Sequence, residues 1–324
     1  MNNAALPSVL VTGASGFVGQ RLTYRLKESG RPVLAAFRRL GSASGSVKVE
    51  SIFTGDLTSE FCWRAALLGV DTIVHLAARV HVMHETAIDA LAEFRRVNVS
   101  GTLQLARQAA DSGVRRFVFV SSVKVNGEVT QLGRPFSADD MPAPIDAYGV
   151  SKLEAEQALL GLAKTTGLEV VIIRPVLIYG PGVKANFLKM MRWLHRGMPL
   201  PFGLVNNQRS FVGLDNMLSL ITTCLDHPAA KNQVFLVSDG EDLSTPELLR
   251  RMAKALGKNA RLLPVPTNVL AAAAGVFGKR DFAQRLCGSL QVDIDKTREL
   301  LGWSPPLSVD AELAITAQDF LRRF

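Results

Sequence analysis

Through the first half of the chain, short apolar runs alternate with longer segments of helical periodicity. "SVLVTG" (Ser8–Gly13), "PVLAAF" (Pro32–Phe37), "DTIVHLAA" (Asp71–Ala78), "RFVFVSS" (Arg116–Ser122) and "EVVIIRP" (Glu169–Pro175) are rich in β-branched residues and almost continuously apolar, as strands buried on both faces are. Helices are expected over Gly16–Ser29, Glu93–Ser112 and Tyr148–Thr166. The alternation predicts an α/β fold: a doubly wound parallel sheet with helices on both faces. After Pro175 the pattern loosens into "YGPGVKANF" and "RGMPLPFGLVNNQRS", whose Gly, Pro and Asn suit ligand-facing loops. A further strand is expected in "QVFLVSDG" (Gln233–Gly240). A helix is expected in "STPELLRRMAKAL", with Ser244 or Thr245 as its cap and Pro246 at its first position.

The bulk composition narrows the class without choosing a function. With 324 residues, 48% of them hydrophobic, the chain can bury a sizeable core. The net charge of +8 suits an anionic small substrate, and the Lys and Arg are scattered along the sequence, so no nucleic acid is expected. Cys62, Cys224 and Cys287 are widely spaced and odd in number, which argues against a disulfide framework or a zinc site. The start "MNNAALPSVLVTG" lacks the pattern of a signal peptide. "VLAAAAGVFG" (Val269–Gly278) is well short of the roughly 20 residues a membrane span needs. A cytoplasmic protein with no membrane span is the expectation.

Chemistry enters with "VLVTGASGFVGQRL", which follows a strand and opens a helix, with Gly13, Gly16 and Gly19 in the turn. Such glycines let the backbone approach a pyrophosphate seated on a helix N-terminus, so a Rossmann dinucleotide site is expected here. "TGDL" follows the third strand and offers Asp56 either as acceptor for an adenine amino group or as a simple helix-initiating turn residue. The expected division is a dinucleotide-binding Rossmann domain over 1–177 with 208–240. A smaller C-terminal α/β substrate lobe takes 178–207 with 241–324, at the carboxyl edge of the sheet.

"AYGVSKLEAEQ" puts Tyr148 and Lys152 four apart on one helix face. A nearby ammonium favours the phenolate of a tyrosine whose ordinary pKa lies near 10. Ser122 ends a strand where a hydroxyl could orient a substrate oxygen, and Asn98 in "RRVNVSGT" could bend its helix and hold a water. His81 and His84 lack the companions of a metal site, and no metal is expected.

In this company the chain resembles the extended short-chain dehydrogenase/reductases, the NAD-dependent epimerase/dehydratase family, and within it the UDP-sugar 4-epimerases, dehydratases and 4-reductases. "TGASGFVG", "HLAA", "NVSGT", "YGVSK", "RPVLIYGPG", "NFL", "RSFVGLDN" and "DKTRELLGWSPP" carry the resemblance nearly end to end. It implies Tyr148 as acid–base, Lys152 on the nicotinamide ribose, Ser122 on the sugar O4 and Asn98 in support. It implies a cofactor lined by Gly13, Ser15, Gly16, Phe17, Val18, Gly19, Asp56, Leu57, Leu76, Ala77, Ala78 and Pro175. For a UDP-sugar it implies Asn186 at a phosphate, Phe202 against uracil, Arg209 and more loosely Arg285 at the diphosphate, with Lys124 and Tyr179 near the sugar. Phe202 and Arg209 could equally be a packing residue and a surface ion pair. A homodimer is usual for the family.

Three departures bear on the reaction. Val123 and Lys124 stand where the family's dehydratases carry an acidic pair, so dehydration is not expected. Asn126 replaces the usual tyrosine of the "VYG" turn. Arg38 and Arg39 end the second strand, with no acidic residue from Arg31 to Val49. A carboxylate there selects a free ribose 2′-hydroxyl, whereas arginine accommodates a 2′-phosphate. The sequence therefore favours NADP(H), with NAD(H) possible, and a reductase of a UDP-4-keto-sugar, by analogy a UDP-4-keto-6-deoxy-N-acetylhexosamine. The alternatives are a UDP-hexose or UDP-N-acetylhexosamine 4-epimerase with bound NAD, or, from another class, a non-catalytic NADP(H)-sensing protein.

Overall fold

Seven short strands lie side by side in the computed structural model, which describes residues 8–39, 49–57, 60–80, 89–276 and 286–324. They are β1 (Ser8–Thr12), β2 (Val33–Phe37), β3 (Glu50–Phe53), β4 (Val70–His75), β5 (Arg116–Val120), β6 (Glu169–Pro175) and β9 (Gln233–Val237). Their order is β3-β2-β1-β4-β5-β6-β9 and every pairing is parallel. This is the doubly wound Rossmann arrangement, and its strand order reverses at β1, beside β4. Alternate residues of each strand feed two cores. Val9, Val11, Val118 and Val171 face one layer, and Leu10, Ile73, Phe117 and Ile172 face the other. β1, β4, β5 and β9 each end one to three residues short of the expected run, while β2 and β6 run to its last residue.

The helix expected over Glu93–Ser112 is present in three pieces. α2 (Ala90–Arg95) is capped by Asp89, whose Oδ1 accepts the Ala92 N–H at 2.9 Å. A π-helical turn (Arg96–Gly101) follows, and then α3 (Thr102–Asp111). A Cβ on Gly101 would lie 2.7 Å from the Leu57 carbonyl oxygen, so this turn approaches the β3–β4 connection as only glycine permits. α1 (Phe17–Glu28) and α4 (Ala147–Thr166) match their expected ranges closely.

Beyond β6 a second sheet forms from β7 (Leu177–Tyr179), β8 (Arg209–Gly213) and β10 (Asp242–Leu243), with β8 central, parallel to β7 and antiparallel to β10. The segment 208–240 is thus shared between the sheets. β8 belongs to the smaller one, while α6 (Leu214–Asp226) and β9 serve the larger. α5 (Ala185–His195), α7 (Thr245–Ala255) and the C-terminal helix Val309–Arg323 enclose the second lobe's own core, which includes Phe187, Met191, Leu249, Met252 and Phe320. Ser244 caps α7 by accepting the Glu247 N–H at 3.3 Å, with Pro246 in the first turn.

A buried polar network ties the lobes at the start of α6. Asp239 Oδ1 accepts from the Gly213 N–H and from Asn216 Nδ2, both at 2.7 Å, and Glu312 Oε1 accepts the Asn216 N–H at 3.0 Å. Glu312 is wholly buried and its Oε2 has no partner, so burial raises its carboxyl to about 7. The unfolded chain ionises this group near 4.5, so the protonated form is the one the fold favours. Its contribution is therefore full below pH 4.5 and is lost as pH rises through 7. We expect Glu312 to remove on the order of 3 kcal/mol of stability between pH 5 and 8. Glu312→Gln should flatten that decline in urea titrations across the range; an unchanged slope would show that the carboxylate is already charged in the fold.

Candidate active site

The residues that sequence spacing brought together meet along the carboxyl edge of β1, β4 and β5. A cleft of about 700 Å³ is lined by Gly13, Ser15, Gly16, Phe17, Val18, Gly19, Arg38, Asp56, Leu57, Leu76, Ala77 and Ala78, and runs to Val120 at the end of β5. Its floor demands glycine. Gly13 has φ of +69°, and a Cβ there would lie 2.8 Å from the Ala77 nitrogen; on Gly19 it would lie 2.2 Å from the Gly13 carbonyl oxygen. Backbone this close to helix α1 leaves N–H groups facing the cleft at a positive helix end, which fits a bound pyrophosphate.

The polar side chains beneath this floor are fixed. Thr12 Oγ1 bonds His75 Nδ1 at 2.9 Å and accepts the Ala77 N–H at 3.3 Å, while His75 Nε2 bonds Thr102 Oγ1 at 3.0 Å. Burial lowers His75 to about 3, so it stays neutral and serves to stiffen the "HLAA" segment. Asn98 lies in the π-helical turn, fully buried. Its Oδ1 accepts the Arg79 N–H at 2.8 Å, and its Nδ2 donates to the Arg79 carbonyl and to Ser151 Oγ, both at 3.0 Å. In this conformation Asn98 clamps the wall of the cleft with its own hydrogen bonds. Arg79, Val80, Arg96 and Val97 also line the cleft and were missed in the sequence; Arg79 and Val80 directly follow "HLAA", which was the available signal.

Arg38 and Asp56 face each other across the cleft, with Arg38 Nη1 and Asp56 Oδ1 3.7 Å apart and both side chains about two-thirds exposed. Arg39 is exposed and does not line the cleft. Both had been expected at a 2′-phosphate. Arg38's charge is instead partly answered by the very carboxylate expected to meet adenine.

At the other end, Ser122 follows β5 and caps the short 3-10 turn Val123–Val125, its Oγ accepting the Lys124 N–H at 3.2 Å. Tyr148 lies in the first turn of α4, capped by Asp146, whose Oδ1 accepts the Gly149 N–H at 2.7 Å. A Cβ on Gly149 would lie 2.9 Å from the Lys124 carbonyl oxygen, so the turn and the helix sit in close contact. The Tyr148 ring packs edge-on against Phe94 at 6.0 Å. Burial and the Asp146 charge push the phenol up to about 12. Lys152 is fully buried, donates from Nζ to the Val120 carbonyl at 2.8 Å and lies 3.9 Å from the Phe119 ring centre. Burial lowers its ammonium to about 7. The expected lowering of Tyr148 by Lys152 is thus not realised in this conformation, because the ammonium is turned to Val120 and itself partly neutralised.

Lys124 Nζ donates to Glu128 Oε1 at 2.7 Å and to Asp146, which fastens the Ser122 turn to the cap of α4. Asn126, which replaces a tyrosine, is buried and holds Arg174, whose Nη1 donates to its Oδ1 at 3.1 Å; Arg174 also forms a buried ion pair with Glu156 at 2.6 Å.

The expected substrate residues divide. Pro175 ends β6 in the core, where its expected contact with cofactor is not provided by the lining of the cleft. Tyr179, expected near the sugar, is fully buried, stacked on Phe187 at 5.2 Å, and donates to Asp239 at 2.8 Å; it is a packing residue of the second lobe. Phe202 is also largely buried in that core. Asn186 is half-buried in the first turn of α5, and Arg209 opens β8, its Nη1 donating to the Gly288 carbonyl at 2.9 Å. Arg285, His81 and His84 lie outside the described residues.

A glycine-floored cleft at the strand-order switch point, reaching Val120 just before a serine turn and beside a YxxxK helix whose Lys152 bonds the Val120 carbonyl, defines an extended short-chain dehydrogenase/reductase. The sequence profile of the NAD dependent epimerase/dehydratase family matches residues 9–238, and the chain belongs to that family. A UDP-glucose 4-epimerase of Vibrio cholerae is 48% identical over 317 residues, covering 97% of this chain and 96% of that protein. An N-acetyl-alpha-D-glucosaminyl-diphospho-ditrans,octacis-undecaprenol 4-epimerase of Escherichia coli O157:H7 is 27% identical, over 96% of this chain and 94% of its own. Among solved structures, MoeE5 in complex with UDP-glucuronic acid and NAD superposes with a TM-score of 0.77 at 27% identity, covering 98% of this chain and 100% of that one.

Proposed function

We propose that this enzyme is a UDP-sugar 4-epimerase, acting on a UDP-hexose with a tightly held, recycled NAD. The observation that carries the reading is the 48% identity to the V. cholerae UDP-glucose 4-epimerase, sustained over nearly the whole of both chains. That likeness does not support the reductase favoured by the sequence, and the NADP(H) preference rested on arginines of which one pairs with Asp56 and the other lies outside the cleft.

The chain's residues suit the role. Gly13–Gly19 would hold the pyrophosphate, with Leu57 and Leu76–Ala78 along the adenosine side. When bound, NAD supplies a hydride acceptor and donor at C4. Tyr148 would exchange the proton of the sugar O4 hydroxyl, and Ser122 Oγ would hold that oxygen. A phenol raised to about 12 holds its proton firmly, so it must gain a positive neighbour before it accepts one. Buried Lys152, in the next helical turn, would supply it by turning its ammonium from the Val120 carbonyl. Asn186 and Arg209 are the candidates for the diphosphate and Phe202 for the uracil wall, a guanidinium fork being suited to phosphate oxygens.

One observation favours a second reading. Arg38 lines the adenosine end of the cleft and no carboxylate ends β2, as suits NADP(H) and the reduction of a 4-keto sugar. Denaturing freshly purified protein and identifying the nucleotide released separates the two. Near-stoichiometric NAD is expected; an empty site that binds NADPH more tightly than NADH would overturn the epimerase.

A further inference from the structure

The positive charge of this protein is unevenly distributed. Residues 170–214 contain six Lys or Arg and no acidic residue, and residues 248–280 contain seven and none. Folding brings these two segments together in the second lobe, where Phe187, Met190, Met191 and Leu194 of α5 pack in one core with Leu248, Leu249, Met252 and Ala253 of α7. The outward face of α5 is cationic, and α7 carries a row of cations beside the ion-paired Glu247 and Arg251. Lys189, Arg192 and Arg196 follow one another at i, i+3 and i+7 on α5, and Arg250, Lys254 and Lys258 at i, i+4 and i+8 on and just past α7. All six are exposed, and none has a salt-bridge partner among the described residues.

Directly beside these stripes the chain exposes apolar surface. Leu200 donates its N–H to the Arg261 carbonyl, Leu263 to that of Leu200, and Gly203 to that of Leu263, at 2.8, 2.8 and 2.9 Å, so 198–204 lies along 261–263. Met198, Leu204 and Leu263 on these paired segments are 42%, 52% and 48% exposed, and Val269, in the apolar helix α8 (Thr267–Val276), is 52% exposed. Cationic stripes bordering exposed branched and thioether side chains are what a protein lying on an anionic bilayer presents: apolar groups enter the headgroup boundary while Lys and Arg face lipid phosphates. A nucleic-acid face would need no such apolar surface.

We propose that the second lobe docks on the surface of an anionic membrane through the α5 and α7 stripes and the Met198–Leu204–Leu263–Val269 patch. The docking is independent of the reaction assigned to the cleft. Its test is sedimentation of the full-length protein with vesicles of phosphatidylcholine alone or mixed equally with phosphatidylglycerol.

Binding to the mixed vesicles alone, weakening as salt shortens the reach of the charges, is the expected result. At about fivefold for each cation lost, Arg196→Ala with Arg250→Ala should weaken binding by about 25-fold, with thermal unfolding unchanged. Leu263→Ser with Val269→Ser should weaken it further, most visibly at high salt. Failure to bind the anionic vesicles at low salt, or equal binding by the arginine variant, overturns the proposal. So does insensitivity to the serine changes, or retention by RNA without vesicle binding, either of which would mark a purely electrostatic polyanion site.

Discussion

Tyr148→Phe is expected to lower kcat by more than about a hundredfold, while the unfolding midpoint and nucleotide content stay close to those of the parent enzyme. The hydroxyl has no hydrogen-bond partner among the described residues, so removing it breaks no internal bond. The ring keeps its edge-on contact with Phe94, and α4 keeps its cap at Asp146. What is lost is the group proposed to exchange a proton with the sugar O4. Initial rates with a saturating UDP-hexose, taken beside a urea titration, give the comparison. A variant within about threefold of the parent would remove Tyr148 from the chemistry.

The second large effect is structural. Glu156→Ala should destabilise the protein by about 3–5 kcal/mol. Arg174 and Glu156 are 5% and 2% exposed, and their guanidinium and carboxylate meet through three hydrogen bonds of 2.6–3.2 Å. Removing the carboxylate leaves an arginine that cannot lose its charge buried between α4 and β6, with only Asn126 to receive it among the described residues. Because Asn126 follows the Ser122 turn and Glu156 lies one helical turn beyond Lys152, loosening here should also disturb the site. Denaturant midpoints measure the first effect. Loss of less than about 1 kcal/mol would mean that water already reaches the pair.

Much of the fold was legible because parallel strands buried on both faces leave unmistakable apolar runs. β1, β5 and β6 could be read directly from "SVLVT", "RFVFV" and "EVVIIRP". The three-part helix from Ala90 to Asp111 was not, since its π-helical turn depends on a long-range contact, Gly101 against Leu57, that periodicity cannot carry. The small sheet was hidden for a similar reason. β10 has two residues, and β8 begins inside "RGMPLPFGLVNNQRS", a stretch whose Gly, Pro and Asn read as loop. In the site, the glycine loop and "HLAA" are local motifs, and the cleft contains them as expected. Contacts that depend on distant partners were not legible. Tyr179 is held by Asp239 and Phe187, and Lys152 rests against Val120 and Phe119. The arginines at 38 and 39 suggested a phosphate ligand, but the neighbour of Arg38 across the cleft is Asp56, 18 residues away in sequence and on another strand connection.

The most direct test of the central claim is to supply purified enzyme with UDP-glucose and no added nicotinamide nucleotide, and to follow the sugar by proton NMR. A recycled cofactor predicts a C4 epimer accumulating over many turnovers per enzyme, to the same equilibrium mixture from either side. No epimer, together with stoichiometric oxidation of NADPH when a UDP-4-keto-sugar is supplied, would contradict the account and return the enzyme to the reductases.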